Sequence, residues 1–129
     1  MIEWGVLCVG RTYHEHGYFN ETLSTPRFPR PEELHESVVI LECLGARTSV
    51  SVQAKVRYRN ADGSGTWINQ NRNARIYGGM ALARWFQQNV AVEEEVRIEA
   101  VDPLKRYRLS SSAARRRSVR SAPDGEVRS

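Results

Sequence analysis

The sequence predicts a single mainly β (α+β) domain whose consecutive strands form an antiparallel sheet that is closed or nearly closed into a barrel. Three observations favour this class. Apolar and polar residues alternate over residues 48–59, which is the period of a strand with one buried face. Turn residues separate the other apolar segments, and only one segment has the period of a helix. A length of 129 residues suits one hydrophobic core rather than two.

The strands are expected to follow one another along the chain. Residues 4–9 and 38–44 are apolar segments of the kind found in buried strands. The inner face of the long strand at residues 48–59 is formed by Val50, Val52, Ala54, Val56 and Tyr58. Its outer face becomes basic toward its end. Shorter strands are predicted at residues 66–68, 96–100 and 104–109.

One or two short helices complete the predicted fold. Leu82, Ala83 and Phe86 share one face of a helix expected from Met80 to Asn89. A short helical turn is expected to begin at Pro31, because proline and the acidic residues after it favour a helix start. No helical period is visible in residues 11–20, which we predict to form a loop or an irregular hairpin.

The formal charge of +4 lies mostly at the C-terminal end. Residues 110–129 contain five arginines and two acidic residues, whereas residues 1–109 are nearly neutral. Serine, alanine and arginine without apolar periodicity predict a disordered basic tail after a domain at residues 1–109. The charge of the whole chain is therefore weak evidence for a nucleic-acid partner.

The cysteines and the hydropathy favour a cytoplasmic protein. Cys8 and Cys43 lie in apolar strand segments, where cysteines are usually buried, reduced and inert. No apolar run approaches the roughly 20 residues of a membrane span. The first residues also differ from the basic and then apolar layout of a signal peptide. We expect no membrane partner.

The first polar segment of interest is residues 11–20. Its side chains are donors and acceptors of the kind that contact DNA phosphates and base edges. A solvated hairpin tip explains the same composition equally well. The candidate residues are Arg11, Tyr13, His14, His16, Tyr18 and Asn20.

The second polar segment is residues 67–75, where amides and guanidinium groups are concentrated. No acidic residue occurs from Thr66 through Ala91, and a carboxylate there would repel phosphates. Amide side chains pair with adenine and arginine with guanine, so we favour a binding role over an asparagine-rich turn. The candidates are Trp67, Asn69, Gln70, Asn71, Arg72, Asn73 and Arg75, with Arg57 and Arg59 on the preceding strand.

No pattern in the sequence indicates catalysis, so we predict no catalytic residue, bound metal or cofactor. His14 and His16 would face the same side of a strand, but only His35 remains as a further histidine ligand. Residues 93–95 are three consecutive glutamates, which do not converge on one strand face and suit a solvated turn. Nucleophile and phosphate-loop motifs are missing. A metal-dependent enzyme using the two histidines is the weakest alternative.

The order of these features resembles a known group of domains. A tryptophan and polar segment at residues 66–79 precede a helix with the aromatic pair Trp85–Phe86, then acidic residues and the strand Val96–Glu99. This order, with residues 16–20 as a first loop, resembles the DNA-binding pseudobarrel superfamily. That superfamily includes plant "B-three" transcription-factor domains and effector domains of some bacterial restriction endonucleases. The likeness covers roughly residues 5–109.

One turn departs from that pattern. The superfamily usually has Gly-Asp before the penultimate strand, where Glu94-Glu95 stands here. The resemblance implies a single seven-stranded open pseudobarrel with one or two short helices. It also implies two loops that grip the major groove, which correspond to residues 11–20 and 67–75.

We therefore expect sequence-specific binding of double-stranded DNA. Arg11, Arg57, Arg59 and Arg75 are expected on phosphates, while the tail adds salt-sensitive attraction. Bases are expected to be read by residues 69–73 from one side and by His14, His16, Tyr18 and Asn20 from the other. Because the chain has no nuclease motif, cleavage requires a partner, and a nuclease or regulatory protein is the expected one. The alternative function is a small β-barrel that binds protein or RNA through the same loops.

Overall fold

The computed structural model describes residues 4–29, 36–57 and 74–115. The strands are β1 (Trp4–Val9), β2 (Tyr18–Asn20), β3 (Glu36–Leu44), β4 (Ser49–Arg57), β5 (Arg75–Tyr77), β6 (Glu94–Asp102) and β7 (Arg106–Ser110). The helices are α1 (Arg11–His16) and α2 (Gly79–Asn89), followed by a helical turn at residues 112–115. The strand expected at residues 66–68 and the helical turn expected at Pro31 lie outside the described residues.

The seven described strands form one sheet in the order β1-β6-β7-β3-β4-β5-β2. The sheet is nearly closed into a barrel, with an unsealed seam between β1 and β2. The prediction of a mainly β, open barrel is therefore confirmed. The expected antiparallel pairing holds for five ladders, but β3 and β7 are parallel, so the sheet is mixed.

The core is built from strands that bury one face. Val52, Ala54 and Val56 of β4 are buried as the period predicts. Strand β1 follows the same rule, since Leu7 and Val9 are buried while Cys8 between them is exposed. The prediction that residues 4–9 form a buried strand therefore holds for one face only, because the outer side of a barrel strand points to solvent.

The two cysteines differ in burial. Cys43 is buried, and desolvation raises the pKa of its thiol to about 12. Cys8 is exposed on the outer face of β1, which contradicts the expected burial. Desolvation and the neighbouring Glu93 carboxylate raise the pKa of the Cys8 thiol as well. Both thiols are free.

Helix α2 packs its predicted face into the core. Leu82, Ala83 and Phe86 are buried, and the helix begins at Gly79, one residue earlier than predicted. Its C-terminal end is tied to the β3–β4 turn, because Asn89 Oδ1 accepts the backbone N–H groups of residues 47 and 48 at 2.9 and 3.1 Å. No helix among the described residues is long and apolar enough to cross a membrane.

The segment between β2 and β3 covers the seam. The backbone N–H of Val6 on β1 donates to Ser24 O at 2.9 Å, so this segment occupies the free edge of β1. Phe28 is buried and stacks on Tyr107 with ring centroids 4.1 Å apart. The seam is thus covered by a connecting segment instead of a further ladder.

A buried carboxylate fastens this segment from within. Glu21 is 3% exposed, and its Oε2 accepts the N–H of Phe28 at 2.8 Å. Its Oε1 accepts the N–H of Ala74 at 3.4 Å. Hydrogen-bonded carboxylates are the form in which buried acids occur in proteins. Glu21 therefore connects the seam segment to the residue that precedes β5.

The C-terminal boundary lies later than the sequence indicates. The basic tail is predicted from Ser110, whereas Ser110 is the last residue of β7 and Ser111 is buried. The N–H of Ser111 donates to Leu44 O at 3.1 Å, which extends the contact with β3. Residues 116–129 lie outside the described part of the chain.

Candidate nucleic-acid interface

The first polar segment begins with a helix, so the predicted loop at residues 11–20 is wrong. Helix α1 ends at Gly17, which has a left-handed φ of 73° and donates its N–H to Tyr13 O. Glycine in this conformation is a common end of a helix. No α1 residue is fully buried, which explains why the helix leaves no apolar period in the sequence.

The helix separates the two histidines. Successive helical residues are rotated by about 100°, so His14 and His16 point in nearly opposite directions. His14 Nε2 lies 2.8 Å from Val90 O, and because a carbonyl only accepts, this nitrogen carries the proton and donates. The expectation that the two histidines share a strand face is therefore wrong. The described residues contain no group of three or more potential metal-ligating side chains.

The two polar segments meet in a short ladder. Antiparallel pairing places Tyr18 opposite Tyr77 and Asn20 opposite Arg75, with the buried Phe19 between them. On its other side β5 pairs with β4, where Arg57 is opposite Arg75. The outward side chains of these three strands form a surface that we call the basic face. Its members are Tyr18, Asn20, Lys55, Arg57, Arg75 and Tyr77.

The charge of the basic face is positive. Strands β2 and β5 and the whole of β4 contain no acidic residue. The acidic residue nearest in register is Glu36 on β3, opposite Arg57. Arg57 and Arg75 are directly opposite each other in the ladder, so two arginines are neighbours on this face.

The arginines of this face rest on tyrosine rings. The Arg75 guanidinium carbon lies 4.6 Å from the Tyr18 ring centroid, and Arg57 lies 5.4 Å from that of Tyr77. Arg75 Nε also donates to Asn20 Oδ1 at 2.9 Å. Cation–π contacts and this hydrogen bond orient both charged groups before any ligand arrives.

Tyr13 supports the same surface from helix α1. Its hydroxyl accepts the backbone N–H of Asn20 at 3.2 Å. Its ring meets the Tyr18 ring edge to face, with centroids 5.4 Å apart. His16 is exposed, and its ring is stacked 6.5 Å from Tyr18. Helix α1 thus positions the outer face of β2.

Gly17 locks the end of the first segment to the start of α2. Its carbonyl accepts the N–H groups of Gly78 and Gly79 at 2.8 and 3.0 Å. A Cβ atom at Gly17 would lie 2.0 Å from Gly79 O, so only glycine permits this approach. With the bond from Glu21 N to Ala74 O at 2.8 Å, the first segment is fixed at both ends of β5.

Only some of the predicted site residues lie in the described part of the chain. They are Arg11, Tyr13, His14, His16, Tyr18, Asn20, Arg57 and Arg75, of which Arg11 is exposed at the start of α1. Arg59, Trp67, Asn69, Gln70, Asn71, Arg72 and Asn73 lie outside the described residues. Sequence reasoning missed Lys55 and Tyr77 as members of the face. The alternation in β4 is the signal that places Lys55 beside Arg57.

The glutamate run is divided between a turn and a strand. Glu93 has a left-handed φ of 74° and donates its N–H to Val9 O at 2.7 Å, whereas Glu94 and Glu95 begin β6. The expectation of a solvated turn thus fits Glu93 alone. Glu93 directly precedes Glu94-Glu95, which stand where the resembled superfamily usually has Gly-Asp. The turn before β6 therefore has a left-handed residue that is not a glycine.

Comparisons with known proteins leave the resemblance as a prediction. The chain matches no protein-family model, no curated protein and no solved structure.

Proposed function

We propose that this protein binds double-stranded DNA in a sequence-specific manner, with the cations of the basic face on the phosphate backbone and the other polar side chains of the two segments on the bases. The observation that carries the proposal is the β2–β5 ladder. It joins residues 18–20 of the first polar segment to residues 75–77, at the end of the second, although the two segments are far apart in the chain. One continuous surface results, with Arg75 and Asn20 in direct contact.

The proposed roles of the basic face and of residues 69–73 follow from the fixed spacing of side chains on a sheet and from the types of side chain. Arginine and lysine on a sheet are held at fixed spacing, which suits contacts to a regular phosphate backbone. Residues 69–73 supply the amides and the arginine that pair bidentately with adenine and guanine. A restriction or regulatory system, with a separate nuclease or regulatory protein, remains the proposed setting.

A single-stranded RNA platform is less consistent with the basic face. Such platforms leave aromatic rings open so that unpaired bases stack on them. Here one face of the Tyr18 ring is covered by Arg75, and Arg57 lies over Tyr77. Guanidinium groups in these positions favour contact with phosphates over stacking of bases.

Selection from a randomised duplex pool at about 150 mM salt, followed by sequencing, tests the proposal. We expect one enriched motif. Binding without enrichment that disappears as salt rises would contradict it and favour the protein- or RNA-binding alternative. Arg72→Ala should weaken binding of the enriched motif by about 1–3 kcal/mol and relax its specificity. Equal weakening on every sequence would refute base reading by Arg72.

A matched pair of lysine variants tests the role of the basic face. Lys55→Ala should lower the slope of log K against log salt by about 0.9, because one phosphate contact is lost. Lys105→Ala removes the same charge from the exposed β6–β7 turn and should leave the slope unchanged. Equal slopes for the two variants would place the phosphate contacts elsewhere on the molecule.

A further inference from the structure

Arg75 is held by two contacts within the basic face. Its guanidinium lies over the Tyr18 ring at 4.6 Å, and its Nε donates to Asn20 Oδ1 at 2.9 Å. Both contacts come from the first polar segment, in which Asn20 is the direct ladder partner of Arg75. A guanidinium has one N–H on Nε and four on the two Nη atoms. Nε is engaged, and among the described residues no hydrogen bond of the two Nη groups is found, so they can act as a planar fork for two acceptor oxygens.

The two residues that hold Arg75 are themselves fixed by one side chain of α1. Tyr13 accepts the N–H of Asn20 through its hydroxyl and meets Tyr18 with its ring edge. The orientation of Arg75 is therefore set in the free protein, so little rotamer freedom remains to be lost on binding. The cost of ordering a long cationic side chain at an interface is correspondingly reduced.

We infer that Tyr18 and Asn20 are positioning residues that act through Arg75, whose Nη fork binds a phosphate of the DNA backbone. This inference rests on the proposed function and changes one part of it. Tyr18 and Asn20 were expected to read bases from the side of the first segment. Their contacts with Arg75 instead assign them to the phosphate contact.

The first test uses the free protein and needs no DNA. In ¹⁵N NMR spectra, the Arg75 Nε–Hε group should exchange slowly with water, because Asn20 accepts its proton. Asn20→Ala should accelerate this exchange while the dispersion of the backbone amide signals is preserved. Tyr18→Phe should retain the wild-type exchange rate and Tyr18→Leu should not. Equal exchange in the wild type and Asn20→Ala would overturn the positioning role.

The second test is a double-mutant cycle with a duplex that carries the enriched motif. Arg75→Ala should weaken binding about tenfold or more, as expected for a hydrogen-bonded charge. Asn20→Ala should weaken it about threefold to tenfold in the wild-type background and not at all in the Arg75→Ala background. Equal weakening in both backgrounds would show that Asn20 contacts DNA directly and would overturn the inference.

The Arg75→Ala variant also decides whether the oxygens bound by Arg75 belong to a phosphate or to a guanine base. Loss of affinity for Arg75→Ala that is uniform across base-substituted duplexes, with a lower salt slope, supports a phosphate. Loss confined to one base pair indicates a guanine and overturns the phosphate assignment. Arg106→Ala on β7 is the matched control and should change neither quantity. If the wild type binds no duplex at all, the proposed function fails and the inference fails with it, whatever the NMR result.

Discussion

Replacing Gly17 by alanine perturbs the lock between the first polar segment and α2. The residue has a φ of 73°, where an L-amino acid costs roughly 1–2 kcal/mol. The added Cβ would lie 2.0 Å from Gly79 O and 2.8 Å from Ala83 N, so the two backbones must separate. Separation breaks the two hydrogen bonds that Gly17 O accepts, each contributing about 1 kcal/mol.

The expected loss for Gly17→Ala is therefore about 3–4 kcal/mol in the free energy of unfolding. That is a large share of the roughly 5–15 kcal/mol by which domains are stable. Urea unfolding followed by tryptophan fluorescence measures it, because Trp85 is buried and reports loss of the core. Midpoint and slope should be fitted separately, since only a change in midpoint at constant slope is a change in stability.

Gly79→Ala is the matched control. Gly79 also has a left-handed φ, of 66°, but a Cβ there meets no atom within 4 Å. The control should lose only the conformational part, about 1–2 kcal/mol. If both variants lose the same amount, the close approach at Gly17 makes no contribution and the reasoning is refuted.

Two further predictions concern buried ionisable groups. The thiol of Cys43 has a pKa of about 12 in the folded protein against an ordinary value of 9.0, so unfolding releases its proton between these pH values. Wild-type stability should therefore be fully present below pH 9 and fall by about 1.4 kcal/mol per pH unit above it, relative to Cys43→Val in urea titrations at pH 8–10. A constant difference across this range would contradict the prediction. Glu21→Gln should cost about 1–3 kcal/mol, because an amide cannot accept both backbone N–H groups, and the Ala74 amide should exchange faster by NMR. The exposed Glu15→Gln is its control, and equal losses for the two would exclude the buried clamp.

The long strand β4 and the helix α2 could be predicted from sequence because their hydrophobic patterns repeat several times. The alternation in β4 extends over many residues, and each buried position from Val52 to Val56 follows it. The face of α2 is equally regular. By contrast, β2 and β5 have three residues each, which is too short for a period to be recognised. Their pairing depends on a register between distant segments that composition does not encode.

The types of side chain in the candidate site could be predicted from sequence, but most of the contacts between them could not. Arginine, asparagine and tyrosine in residues 11–20 and 67–75 mark a polar surface, but their contacts with one another arise from the ladder. Helix α1 was missed because it has no buried residue, although Gly17 directly after it is a typical helix end. The exposure of Cys8 was missed because an apolar run does not reveal that one side of its strand is solvated.

The pairing of β1 with β6 has a consequence for how the protein is synthesised. Strand β1 precedes every other described element, yet its ladder partner is β6, near the opposite end of the domain. On the ribosome, Leu7 and Val9 must wait for most of the chain to be translated before their ladder can form. The β3–β4 ladder, by contrast, joins strands that are close in sequence and can form early. We therefore expect the barrel to assemble from the middle of the chain, with β1 as a late addition that chaperones encounter unpaired.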